Sequence, residues 1–179
     1  MSKMSRVIGV LFFVVWGCVS KVDKDLQSIE PFEAKLTPKM NVDSLPKNAD
    51  SMLFAFAQAN PKHPKSENFC YYAVLIQERK NHGVKAAQWA EYYLQNFNGS
   101  KERKLESAVV ASHYYEQNGI YDKALEYYKY LVEHYADTDI GKQAKTMVFF
   151  IEKGMVTPEQ QLEYIQKMND SAAIKPANP

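Results

Sequence analysis

Apolar residues recur along much of this chain at the three-and-four spacing of helices that bury one face, and the pattern itself repeats. From Leu105 onward, Ala108, Ala111, Ser112 and Tyr115 predict one helix and Gly119 a turn. Tyr121, Ala124, Tyr128 and Leu131 predict a second helix that breaks at Ala136-Asp137. Small side chains at Ser112 and Ala124 let the two helices approach closely, while Tyr115, Tyr128 and Leu131 fill the seam between them. A shift of 38 residues lays Ala86, Ala90, Tyr93, Phe97 and Asn98 on Ala124, Tyr128, Leu131, Tyr135 and Ala136. A further shift of 37 lays Ala49, Leu53, Phe56 and Pro61 on Ala86, Ala90, Tyr93 and Asn98, so residues 46–60 read as the second helix of an earlier, incomplete unit. A repeat of this length signals stacked helical hairpins, which bury together a core that no unit buries alone.

The flanks read differently. Downstream, residues 140–153 form another amphipathic helix with Met147, Phe150 and Ile151 apolar and Gly154 at its C-cap. Thr157-Pro158-Glu159-Gln160 then supplies an N-cap hydroxyl, a proline at the first helical position and a glutamine that completes a capping box. The polar composition after Leu162 and Ile165 suits a solvent-facing end helix. Upstream, residues 19–42 carry scattered charge with Pro31 and Pro38 and no sustained period. Proline inside a helix costs ~3 kcal/mol, so no partner helix is expected there and residues 18–42 read as a flexible tether. Residues 169–179, with Pro176 and Pro179, read as a disordered tail. The expectation is an all-α domain over residues 43–168, with about seven helices.

Composition narrows the function. With Lys3 and Arg6 removed from the 22 cations, the balance against 21 acids is close to −1, which argues against a nucleic-acid partner. Seven glycines against 12 tyrosines suit packed helices better than a loop-rich β fold. Residues 1–17 have Lys3 and Arg6 followed by the apolar run Val7 to Trp16 and then Gly17, the build of a signal peptide and too short for the ~20 apolar residues of a membrane span. Of the two cysteines, Cys70 lies in an apolar run and reads as a small buried hydrophobe.

Val15-Trp16-Gly17-Cys18 resembles the lipobox of bacterial lipoproteins. Trp16 is bulkier than that pattern's usual small residue, and cleavage near Ser20 by the ordinary signal peptidase is the alternative. The resemblance implies a lipid on Cys18, and several acyl chains at ~0.8 kcal/mol per buried methylene would anchor the chain permanently.

The unit from Leu105 to Thr138 resembles the tetratricopeptide repeat position by position, and Tyr121 to Thr138 is similar to repeats of bacterial-envelope proteins of this family. Among these are the D subunit of the outer-membrane barrel-assembly machine and the Tol-Pal-associated periplasmic coordinator. The resemblance covers roughly residues 46–154 and implies a right-handed α-solenoid of three to four helical hairpins. It also implies that the first helix of each hairpin lines a concave groove for an extended or helical segment of a partner. Carried over by register, the groove residues are Tyr71, Leu75, Glu78 and Arg79, then Val109, His113, Glu116 and Gln117, then Val148 and Glu152.

The implied function is a membrane-anchored adaptor in a Gram-negative envelope complex, expected at the outer membrane with its domain facing the periplasm, although Val19-Ser20-Lys21 after Cys18 carries no signal that sorts inner from outer membrane. Its partners would be assembly or secretion proteins. The alternatives are a subunit of outer-membrane protein assembly proper and a periplasmic ligand-binding protein. No His-Glu-x-x-His, Cys-x-x-Cys, glycine-rich phosphate loop or Gly-x-Ser-x-Gly elbow occurs, so no enzyme, metal or cofactor is expected. His63, His82, His113 and His134 are scattered, and the tyrosines at 127, 128, 130 and 135 fit helix packing better than a stacking platform.

Overall fold

The computed structural model describes residues 20–173, which are all-α. The helices are α1 (Lys21–Glu33), α2 (Ala49–Ala59), α3 (Ser66–Arg79), α4 (Gly83–Asn96), α5 (Lys101–Gln117), α6 (Tyr121–Tyr135), α7 (Asp139–Glu152) and α8 (Pro158–Ala173), with a short 3-10 turn at Val42–Ser44. From α1 to α7 each helix packs on the next, and α3 also meets α5.

Local signals set the ends of these helices. Ser100 Oγ accepts from Arg103 N at 3.3 Å, and Thr138 Oγ1 accepts from Gly141 N at 3.0 Å, so both hydroxyls satisfy amides that a helix start leaves bare. At α8, Thr157 Oγ1 accepts from Gln160 N at 3.3 Å and Gln160 Oε1 accepts from Thr157 N at 3.1 Å, the reciprocal pair of a capping box. Three turns use one device. Asn81, Gly119 and Gly154 all have positive φ, and the amide after each reaches back to a carbonyl of the last helical turn: His82 to Gln77 at 3.1 Å, Ile120 to Tyr115 at 2.8 Å and Met155 to Phe150 at 2.8 Å. Gly119 is legible as a turn residue; Asn81, standing 38 positions earlier, adopts the same conformation at a small steric cost.

The repeat register is visible in the burial. Ala49, Ala86 and Ala124 have no exposed surface, and Phe56, Tyr93 and Leu131 are buried about two turns further along. Phe97 and Tyr135 close two of the units. Tyr93 Oη donates to Glu67 at 2.6 Å and Tyr135 Oη donates to the Lys101 carbonyl at 2.7 Å; each bond ties the end of one helix to the start of its predecessor, so α3/α4 and α5/α6 are antiparallel hairpins. Between hairpins the like helices run parallel. Arg103 pairs with Glu67 at 2.9 Å near the starts of α5 and α3, and Tyr114 Oη donates to the Glu78 carbonyl at 3.2 Å near their ends. On the other side Phe54 of α2 stacks on Trp89 of α4, with ring centres 4.2 Å apart. Gln77, wholly buried, joins α2 to α3 by donating to Asp50, which Lys80 also approaches at 3.2 Å.

The amino-terminal segment departs from expectation. Residues 21–33, assigned to a tether, form α1, which starts in a capping box between Ser20 and Asp23 and buries Ile29 and Phe32. Pro31 is tolerated because it lies in the last turn on the exposed side, and the carbonyl that loses its donor belongs to Gln27, itself exposed. Leu36, Met40 and Leu45 then bury their side chains as the chain returns to α2, so the tether assignment is corrected over residues 21–42. Eight α-helices, not seven, stand among the described residues. At the other end α8 continues through Ala173, shortening the expected tail to residues 174–179. That remnant, the leader and Cys18 lie outside the described residues.

Candidate partner-binding groove

Helices α3, α5 and α7 form one wall of the molecule, and two adjoining clefts run along it. The first, about 420 Å³, lies between α3 and α5 and is lined by Tyr71, Leu75, Glu78, Arg79, Leu105 and Glu106. The second, about 510 Å³, lies among α5, α6 and α7 and is lined by Ser112, His113, Glu116, Tyr128, Ala144 and Met147 among others. Val109 and Ile140 belong to both, so the clefts form a continuous trough. Helical geometry explains the membership: 71, 75, 78 and 79 share one face of α3, and 105, 109, 112 and 116 share one face of α5.

The polar groups of the trough are positioned by aromatic neighbours. Tyr71 Oη donates to Glu106, and its ring lies 4.5 Å from the Arg103 guanidinium, which also holds Glu67 and Asn68 at 2.9 Å each. Tyr128 Oη donates to Glu116 in the same manner. Burial, and then the adjacent carboxylate, push both phenols far above the ordinary tyrosine range, so each remains a protonated donor.

One end of the trough is already occupied by the chain itself. Pro38 lines the first cleft, and the Arg79 guanidinium donates to the Pro38 carbonyl and, at 2.9 Å, to the Met40 carbonyl. Lys35 Nζ donates to the Ser44 carbonyl at 3.1 Å, steadying the same strap. Arginine here holds the backbone by its carbonyls, independent of side-chain identity.

Of the ten groove residues expected from register, Tyr71, Leu75, Glu78, Arg79, Val109, His113 and Glu116 line the trough. Gln117, Val148 and Glu152 do not. Glu152 instead pairs with Lys129 of α6 at 2.7 Å, which turns that side of α7 away from the clefts. The trough face of α7 is Ile140, Ala144 and Met147, one position out of the expected register. Their three-and-four spacing is readable in the sequence, whereas the phase of α7 against α5 is not. Leu105 and Glu106, one turn before Val109, escaped the register and are recoverable from the same face.

The remaining candidates are dispersed. His63 lies against Phe56, His82 Nδ1 is 2.9 Å from Gln77 Oε1, His113 is edge-on to Tyr114, and His134 stacks on Tyr130. No three His, Cys, Asp or Glu side chains among the described residues are gathered as metal ligands would be. Cys70 is wholly buried, and desolvation, then the Glu67 charge, push its thiol far above the ordinary range. Tyr127, Tyr128 and Tyr135 are buried in the helix seams, Tyr127 stacking on Tyr115. No described helix is long and apolar enough to cross a membrane. Comparison of the chain with protein-family models, with curated proteins and with solved structures finds no match.

Proposed function

We propose that this chain is a right-handed α-solenoid of tetratricopeptide-like hairpins that works as an adaptor, its trough taking an extended segment of a partner protein. A lipid on Cys18 would hold it at a bacterial-envelope membrane, and its role is binding rather than catalysis. The observation that carries this reading is the strap, since Arg79 grips the backbone carbonyls of Pro38 and Met40 at one end of a trough that continues past Val109 and Ile140 into the second cleft. A surface that holds one segment by its backbone has the chemistry to hold another. The three equivalent turns and the shared small residues at 49, 86 and 124 support the repeat architecture.

The test is affinity purification of the full-length protein from its host's membranes, beside a Val109→Trp variant that fills the junction of the clefts, with mass spectrometry of partners and of the mature amino terminus. The expected result is an acylated Cys18 and a protein partner that the variant loses. A chain with an unmodified amino terminus, or partners retained in full by Val109→Trp, overturns the reading.

A further inference from the structure

Resting on that reading of the trough, we infer that the partner segment is cationic, presenting lysine or arginine side chains among apolar ones. The trough lining holds three carboxylates, Glu78, Glu106 and Glu116, against one permanent cation, Arg79. Arg79 is already committed to two carbonyls of the strap. Among the described residues none of the three carboxylates has a salt-bridge partner, and the bonds that Glu106 and Glu116 accept come from neutral tyrosine hydroxyls, which leave the negative charge in place.

Elsewhere, where the fold brings a carboxylate into a helix seam, it supplies a cation. Glu67 is paired with Arg103 at 2.9 Å, Glu91 with Lys123 at 2.7 Å and Asp50 with Lys80 at 3.2 Å. The trough instead sets three carboxylates without a salt-bridge partner among the described residues beside the apolar walls of Leu75, Leu105, Val109, Ile140 and Met147. Apolar burial against those walls supplies the attraction, and the carboxylates choose the partner's sign by attracting cations and repelling anions. An acidic segment would bring like charges together, with the one lining arginine already engaged.

The experiment uses the full chain in nonionic detergent and three labelled peptides that alternate leucine with lysine, serine or glutamate, read by fluorescence anisotropy. Three proteins are compared: wild type, a Glu78→Gln/Glu106→Gln/Glu116→Gln variant and Val109→Trp. Glutamine still accepts from Tyr71 and Tyr128, so the wall geometry is kept, and matched thermal melts verify it. The expected result is that the lysine peptide binds best, that the triple variant weakens it roughly tenfold, the size of two or three partly exposed ion pairs, and that Val109→Trp removes it. Equal binding of all three peptides, lost in Val109→Trp, overturns the cationic inference while leaving the trough as the binding surface. Lysine-peptide binding untouched by either variant, or no binding by any peptide, overturns the inference and counts against the trough itself.

Discussion

Ala49, Ala86 and Ala124 occupy one place in three successive units, each without exposed surface where two helices approach closely. A methyl group is all that the seam accommodates there. Replacing Ala124 by Phe should overpack it and cost roughly 1 to 3 kcal/mol, lowering the thermal midpoint by several degrees. An unchanged melt would show that Ala124 does not face the seam. The same scale explains Gly141. A Cβ at that position would lie 2.0 Å from the Tyr135 carbonyl oxygen, so the first turn of α7 crosses the end of α6 at backbone distance. The three alanines are legible in the sequence because a small side chain recurring at a fixed interval is what a close helix seam requires, whereas Gly141 has Arg103 38 positions before it and carries no such signal.

The strap between α1 and α2 shows what a single element adds. Its residues have no helical period and contain Pro38, yet Leu36, Met40 and Leu45 are buried in the core they share with α2 and α3, and the Arg79 guanidinium holds the backbone between them. Arg79→Ala should remove two charge-assisted hydrogen bonds and loosen this segment by about 1 to 2 kcal/mol, the discount reflecting the exposure of Arg79. Hydrogen exchange would then quicken over residues 21–45 while α5 and α6 keep their protection; identical exchange in the two proteins would mean that packing alone holds the strap. The α1 helix was hidden for a related reason. Pro31 counts against a helix in general, whereas in this helix it lies on the exposed side of the last turn, where the carbonyl left without its amide belongs to the exposed Gln27.

Across the molecule, stability should grade along the stack. Helices α3 to α6 each meet neighbours on two sides, whereas α8 is tied to α7 chiefly by Tyr164 against Phe149 and Phe150, and leaves Leu162, Ile165 and Met168 exposed. In an array where each element contacts only its neighbours, the end with the smallest interface opens first. Native-state hydrogen exchange should therefore find α8 the least protected helix and α5/α6 the most; equal protection of α8 and α5 would indicate a single cooperative unit.

Much of this architecture follows from local sequence. Helix periodicity, the hydroxyl caps at Ser100, Thr138 and Thr157, the turn at Gly119 and the small residues of the seams are short-range effects, each acting within a few residues of chain. Seven residues of α3 and α5 that line the trough come by register from the family resemblance, and they fall together because two turns of one helix share a face wherever that helix is docked. The tertiary structure decided the rest. It set the phase of α7, which turned Ile140 and Met147 inward and Glu152 toward Lys129, and it folded residues 21–45 onto the helices that follow. Both depend on which surfaces meet across the stack, and the free energy of such contacts comes from residues tens of positions apart, which no local period records.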